Sequence, residues 1–314
     1  MTSPFQEAIE FRLFMALRGV ARRLPYRCVG RLGGSLGRLI FLLTPLRKKV
    51  TLENLRHAFP EKTEMERRRL ARGAYANFGT ALLESFWVAA NDAEEIMRRV
   101  AWKGDEGAMS LIREGKGFIF LSGHFGSWEL FGTSLGLHFG KSILVVVQEQ
   151  RNPKINRVID RDRRRHGNRT VPMSRSVRVV LTELGGGGIV GMLSDQSGPK
   201  ESAVVPFFGR PAATHRGVAA FSIKLDAPIF MAFTIRQSDG TYILELQELD
   251  RSDLGGPPEE QIDQLTRRHV ELFERFVRKY PDHWLWMHKR WKHTQYFESV
   301  GGQVSLHHAE DTRP

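Results

Sequence analysis

The chain has 314 residues, with 47 Lys and Arg against 35 Asp and Glu, a formal net charge of +12 and a pI near 10.1. At 41 % hydrophobic residues it can bury one large or two modest cores, which excludes a mainly disordered protein, and its positive excess calls for an anionic partner: nucleic acid, anionic lipid or an acidic carrier. The single Cys28 excludes an internal disulfide framework and a cysteine-rich zinc module, and fits a reducing compartment.

Residues 5–24 are apolar but interrupted by Glu7, Glu10, Arg12, Arg18, Arg22 and Arg23, short of the roughly 20 mostly apolar residues of a spanning helix. No cleavable signal is evident. Phe5, Ile9, Leu13, Leu17, Val20 and Leu24 fall on one side at helical spacing, Phe11 and Phe14 broaden that face, and Glu7, Arg18 and Arg22 lie opposite. Such a helix suits a bilayer interface, and equally a core-facing position. Residues 29–46 are Gly-rich and apolar, carry Arg31 and Arg38, and run into Arg47, Lys48 and Lys49, a basic run suited to anionic lipid.

The pattern predicts a charged exposed helix over 61–72 and a more apolar one over 74–89. From there apolar strands at 117–122, 142–148, 188–194 and 228–235 are separated by helical patterns at 127–139, 154–166, 175–184 and 214–225. That alternation predicts an α/β fold, a mostly parallel central sheet flanked by helices, with N-terminal membrane-associating helices. The expected organisation is 1–50 for those helices, 51–298 for the main domain and 299–314 for a polar, frayed tail. The glycines from Gly185 to Gly188 lack the Lys-Ser/Thr of a phosphate loop and read as a turn after a helix.

The most informative block runs from Phe118 through Ser122-Gly123-His124-Phe125-Gly126-Ser127-Trp128-Glu129. On one continuous helix five residues would leave His124 and Glu129 about 140° apart, so they meet only if the chain bends, which Gly123 and Gly126 permit. His124 then sits on a strand-exit loop and Glu129 in the first turn of the next helix, orienting one ring nitrogen and leaving the other to take a proton. The nucleophile is expected from the substrate, since neither Ser122 nor Ser127 sits in a Gly-x-Ser-x-Gly elbow. A zinc site is disfavoured, because His-x-x-x-x-Glu is not the His-Glu-x-x-His pattern and no further ligand cluster follows. On these residues alone, a hydrogen-bonded His closing a strand beside a solvated Glu accounts for the pattern as well.

Five ordered blocks resemble the bacterial lipid A biosynthesis acyltransferases, the late lauroyl or myristoyl transferases of the lysophospholipid acyltransferase group, with phosphatidylinositol mannoside acyltransferases alongside. They are Asn54 to Pro60, Gly123 to Glu129, Ser194-Asp195-Gln196, Val205 to Ala212, and Pro281 to Lys292 with its Trp284-Leu285-Trp286-Met287-His288-Lys289-Arg290-Trp291. The resemblance implies a glycerol-3-phosphate acyltransferase-like fold and places His124 and Glu129 as the catalytic pair. It sets Arg163 beside that pair and Asp195 and Gln196 in the site; the oxyanion of acyl transfer needs a donor, for which backbone N–H groups at the helix start near Gly126 are one candidate and Arg163 a second. The default reading of Arg161, Arg163, Arg164 and Arg165 together is a solvated basic helix face.

Phe207, Phe208, Trp286 and Arg290 are expected at an acceptor pocket or membrane rim, where alternating aromatic and basic groups suit headgroup level, although Phe at a strand end is more often core and the tryptophan strip equally suits a cap on the core or a single-strand nucleic-acid groove. The expected reaction moves an acyl chain from acyl carrier protein or acyl-coenzyme A to a hydroxyl of an anionic glycolipid at the cytoplasmic face of the inner membrane. The thioester is a co-substrate, and no cofactor, metal or nucleic acid is expected. Two other classes remain: a thioesterase using the same His on water, and a basic nucleic-acid- or lipid-binding module that leaves His124 idle.

Overall fold

A computed structural model describes residues 3–200 and 202–299, so the tail expected at 299–314 lies, apart from Ser299, outside the described residues. The N-terminal third is helical: α1 (Pro4–Ala21), α2 (Tyr26–Leu43), α3 (Lys48–Ala58), α4 (Glu64–Val88) and α5 (Ala93–Met97). Then follow β1 (Val100–Lys103), α6 (Glu106–Arg113), β2 (Phe118–Ser122), α7 (Trp128–Phe139), β3 (Ile143–Val147), α8 (Pro153–Arg164), β4 (Arg169–Pro172), α9 (Ser176–Gly185) and β5 (Ile189–Leu193). The chain continues through β6 (Ala203–Phe207), β7 (Arg210–Thr214), α10 (Gly217–Leu225), β8 (Ile229–Arg236), β9 (Tyr242–Glu248), α11 (Pro258–Lys279) and α12 (Thr294–Ser299).

Seven strands form one sheet in the order β1-β9-β8-β2-β5-β3-β4, parallel at every pairing except β8 with β9, while β6 and β7 make a separate antiparallel hairpin. The fold is α/β with a mostly parallel sheet, as the strand and helix alternation predicts. Both faces are covered because the central strands are apolar on both sides. Ile119, Leu121, Val190, Met231 and Phe233 point to one core, and Phe118, Phe120, Ile189, Phe230 and Ala232 to the other, beneath α6 and α7.

The two helices expected at 61–72 and 74–89 are a single helix, α4. Its start is fixed by a capping box, Thr63 accepting from the Glu66 N–H and Glu66 accepting from Thr63. No Pro interrupts the span, and Gly73 and Gly79 do not break a helix that is packed along its length. α2 crosses α4 at very short range: a Cβ on Gly37 would lie 2.0 Å from the Tyr75 carbonyl oxygen, so only glycine permits that contact. α1 turns Phe14 and Arg18 inward, Phe14 edge-on to Phe86 at 5.0 Å and Arg18 paired with Asp162 at 2.7 Å. The stripe from Phe5 to Val20 is left on the outside, with Phe5 74 % and Leu13 62 % exposed. No helix among the described residues is long and apolar enough to cross a membrane.

Candidate active site

The site forms past the carboxyl ends of β2 and β5, where a mostly parallel sheet exposes its loops. These strands run in register, Ser122 opposite Leu193, so the residues two positions beyond each strand, His124 and Asp195, are also neighbours. Their side chains meet: His124 Nδ1 lies 2.9 Å from Asp195 Oδ1. The second carboxylate oxygen accepts from the indole Nε1 of Trp284 at 2.8 Å. Asp195 is buried, and burial alone would raise its carboxyl, but the His124 charge and hydrogen bond, with the Trp284 donor, carry it down to about 2. Burial pulls His124 down, yet the carboxylates of Asp195 and then Glu129 outweigh it, and the imidazole is raised above its ordinary value.

The expectation that Glu129 makes the orienting hydrogen bond is corrected here, because Asp195 occupies Nδ1. Glu129, in the first turn of α7, is held instead by Arg163 of α8 through two hydrogen bonds, Nε to Oε2 at 3.0 Å and Nη2 to Oε1 at 2.5 Å. That fork is the geometry a guanidinium makes with a carboxylate. Burial would raise the Glu129 carboxyl, and the Arg163 charge and hydrogen bond together hold it low. Glu129 still acts on His124 as a nearby negative charge.

Backbone geometry explains how the loop is held. Gly126 has φ +59°, and a Cβ there would sit 2.0 Å from the Thr234 carbonyl oxygen. Its N–H donates to the His283 carbonyl at 2.9 Å, and Leu285 N–H donates to the His124 carbonyl at 3.1 Å. The Gly126 N–H expected at the oxyanion is therefore engaged. Among the described residues Arg163 is hydrogen-bonded through Nε and Nη2 and not through Nη1, and it lines the same cavity as His124 and Glu129.

That cavity, about 170 Å³, lies between α7, β3 and β5. His124, Trp128, Glu129, Arg163 and Gln196 give it polar lining, and Phe131, Leu135, Ile143, Val145 and Gly191 give it apolar walls. Gly132 faces it with open space where a side chain would stand. His215, which the sequence pattern did not single out, also lines it.

Phe207, Phe208, Trp286 and Arg290 do not form a rim; all four are buried in the core. The reason is that the polar atoms of this region find partners inside. Arg290 donates to the Ala213 carbonyl at 2.5 Å and the Thr214 hydroxyl at 2.7 Å, and the Trp286 and Trp291 indoles donate to the carbonyls of Pro281 and Phe207. Burying them is then tolerable. Burial nevertheless lowers Arg290 to about 10. Among the described residues no group of three or more His, Cys, Asp or Glu side chains is placed to hold a metal ion.

Residues 5–293 match the family described as bacterial lipid A biosynthesis acyltransferase. The chain belongs to that family. It is an acyltransferase. Relatives in Escherichia coli K12 are 26 % identical for a lipid A biosynthesis lauroyltransferase and 26 % for a palmitoleoyltransferase, each match covering 86 % of this chain and 87 % of the relative. A lipid A biosynthesis myristoyltransferase of the same organism is 27 % identical over 83 % of this chain and 78 % of its own length.

Proposed function

We propose that this acyltransferase moves a fatty acyl chain from an acyl thioester to a hydroxyl of a lipid A precursor, with His124 as general base. The observation that carries this reading is the pair of engagements at His124: Nδ1 is fixed by buried Asp195, while the side chain lines a cavity with polar groups and apolar walls. In the reaction the acceptor O–H gives its proton to His124 Nε2, and its oxygen attacks the thioester carbonyl carbon. The carbonyl oxygen becomes anionic and is met by Arg163 Nη1, whose guanidinium is steadied by Glu129. On collapse the C–S bond breaks, the thiolate leaves, and the imidazolium returns its proton to sulfur.

No covalent enzyme intermediate and no resident cofactor take part. The apolar walls of Phe131, Leu135, Ile143 and Val145 receive the acyl chain, each buried methylene contributing about 0.8 kcal/mol. The exposed stripe of α1, together with Leu43 and Leu46 at 73 % and 60 % exposure, rests in the interface of the membrane. With an acyl thioester as donor, this reading assigns the protein to the cytoplasmic side of the inner membrane.

The test incubates purified protein with radiolabelled acyl-acyl carrier protein and, separately, acyl-coenzyme A, together with an under-acylated lipid A precursor. Label entering lipid with wild type but falling about 10²- to 10⁴-fold in His124→Ala supports transfer by a His base. Label released only as free fatty acid makes the protein a thioesterase. No turnover with either donor, or wild-type turnover in His124→Ala, overturns the proposal.

A further inference from the structure

A second cavity, about 840 Å³, lies elsewhere: a groove between α2, α4 and the turn joining β8 to β9, with Asp282 and His283 at one side. It exists because α2 and α4 touch through glycines, so the long side chains of α2 are carried to the edge of the contact. Arg27, Arg31, Arg38 and Leu42 follow one stripe of α2 at spacings of four, seven and four residues. The arginines span about 16 Å along the helix, and Leu42 lies about 6 Å beyond Arg38.

The charges on the two walls are unequal in a useful way. Every acid that lines the groove is already engaged: Glu84 by Arg236 at 2.8 and 3.0 Å and by the Tyr26 and Tyr242 hydroxyls, Asp239 by the Thr241 N–H and hydroxyl, and Asp282 by His283. Arg27 faces Asp239 electrostatically. Arg31 and Arg38 are exposed and have no hydrogen-bond or ion-pair partner among the described residues. Two unpaired guanidiniums on one wall of a polar groove are built for a phosphate, which takes planar, charge-assisted donors.

Past Arg38 the helix changes character. Leu39, Leu42 and Leu43 are 49 %, 57 % and 73 % exposed, and Leu46, just past the helix end, is 60 % exposed. A cationic stretch followed at once by an apolar one matches the order of headgroup phosphate and acyl chain in a bilayer leaflet, and not the order of a soluble anion site. We propose that this groove is a phosphate-binding site that seats the headgroup of an anionic phospholipid, with Arg31 and Arg38 on the phosphate and the leucine end of α2 along the acyl chains. The site is distinct from the His124 cavity and its test needs no turnover.

The full chain is sedimented with vesicles of phosphatidylcholine with and without phosphatidylglycerol. Wild type is compared with Arg31→Ala/Arg38→Ala, with Arg31→Lys/Arg38→Lys, and with Arg113→Ala/Arg275→Ala, which removes the same charge from exposed positions on other elements. At about 1 kcal/mol for each basic residue at the surface, the first double variant loses about thirtyfold in affinity for the anionic vesicles. The lysine variant, which keeps the charge and lacks the planar fork, falls between wild type and the alanine variant, and the distant double variant changes by less than about threefold. Unchanged thermal midpoints confirm that the variants are folded. Equal losses in both alanine variants, or none in either, overturn the site. Binding of inorganic phosphate that depends on Arg31 and Arg38, without preference for phosphatidylglycerol, overturns the lipid and leaves a soluble anion as the occupant.

Discussion

Replacing Asp195 by Asn tests which acid governs His124. The substitution keeps shape and removes charge from a buried carboxylate whose Oδ1 is 2.9 Å from the imidazole Nδ1. The folded protein lowers that carboxyl from 3.8 to about 2, and the attraction to His124 is the leading favourable cause. Removing that charge withdraws stabilisation from the imidazolium and makes His124 a weaker base. A second effect adds to it. The amide introduced by Asp195→Asn, if it donates to Nδ1, forces the ring proton onto Nε2, the nitrogen that must accept from substrate, so the expected total loss in kcat is about 10²- to 10⁴-fold.

The pH profile separates the two effects. In wild type the rate rises with pH as His124 loses its proton, and the midpoint lies above the ordinary 6.5 because the folded protein favours the imidazolium. Without the Asp195 charge that midpoint moves to lower pH. Glu129→Gln should move it less, since Glu129 makes no hydrogen bond to the ring and stands behind Asp195 among the charges acting on it. The assay is single-turnover acyl transfer across a pH series, with thermal unfolding to show that each variant is intact. An Asp195→Asn protein with kcat within about twofold and an unmoved midpoint would refute the assignment.

Gly132→Leu puts a side chain into open space facing the cavity, so it should fold normally and shorten the acyl chain preferred in competition between thioesters of graded length. Each methylene excluded costs about 0.8 kcal/mol, roughly fourfold in selectivity, and an unchanged length profile would remove this cavity as the acyl site. Gly37→Ala forces a methyl to 2.0 Å from the Tyr75 carbonyl oxygen, where backbone and not a flexible side chain must yield. A loss of about 2–3 kcal/mol is expected, seen as a lowered denaturation midpoint, and an unaltered midpoint would mean the α2–α4 contact is looser than described.

The parts of the fold legible in the sequence are those whose burial is uniform. β2, β3, β5 and β8 are short apolar runs between helical patterns, and the helices α7 to α10 fall where those patterns predict them. β1, β4 and β9 escaped because they lie toward the sheet edges, where alternation is weak: β1 alternates half-buried and exposed, and β4 shows one buried residue in four. α11 escaped although it buries ten residues along one face, its charged opposite face diluting the apolar signal. The reading of residues 284–291 as a headgroup strip failed for a different reason. Composition cannot distinguish an Arg that faces phosphate from one that caps two acceptors inside the core, and only tertiary structure supplied Ala213 and Thr214.

The Asp195 pairing shows what a local motif leaves out. His124 and Glu129 are five residues apart and visible as a pair, whereas His124 and Asp195 are 71 apart and become neighbours only through the register of β2 on β5. The signal was present in a weaker form: both residues follow an apolar strand at the same offset, and residues past adjacent parallel strands converge on one side of the sheet. The division of labour follows from position. Glu129, on a helix start, faces Arg163 from the neighbouring helix and so shapes the polar end of the cavity, while Asp195, two residues past β5, joins the His124 ring to the Trp284 indole. On the proposed mechanism, a base that holds one tautomer through each turnover is better oriented by a carboxylate bound to the ring itself than by one engaged with a guanidinium that would meet substrate.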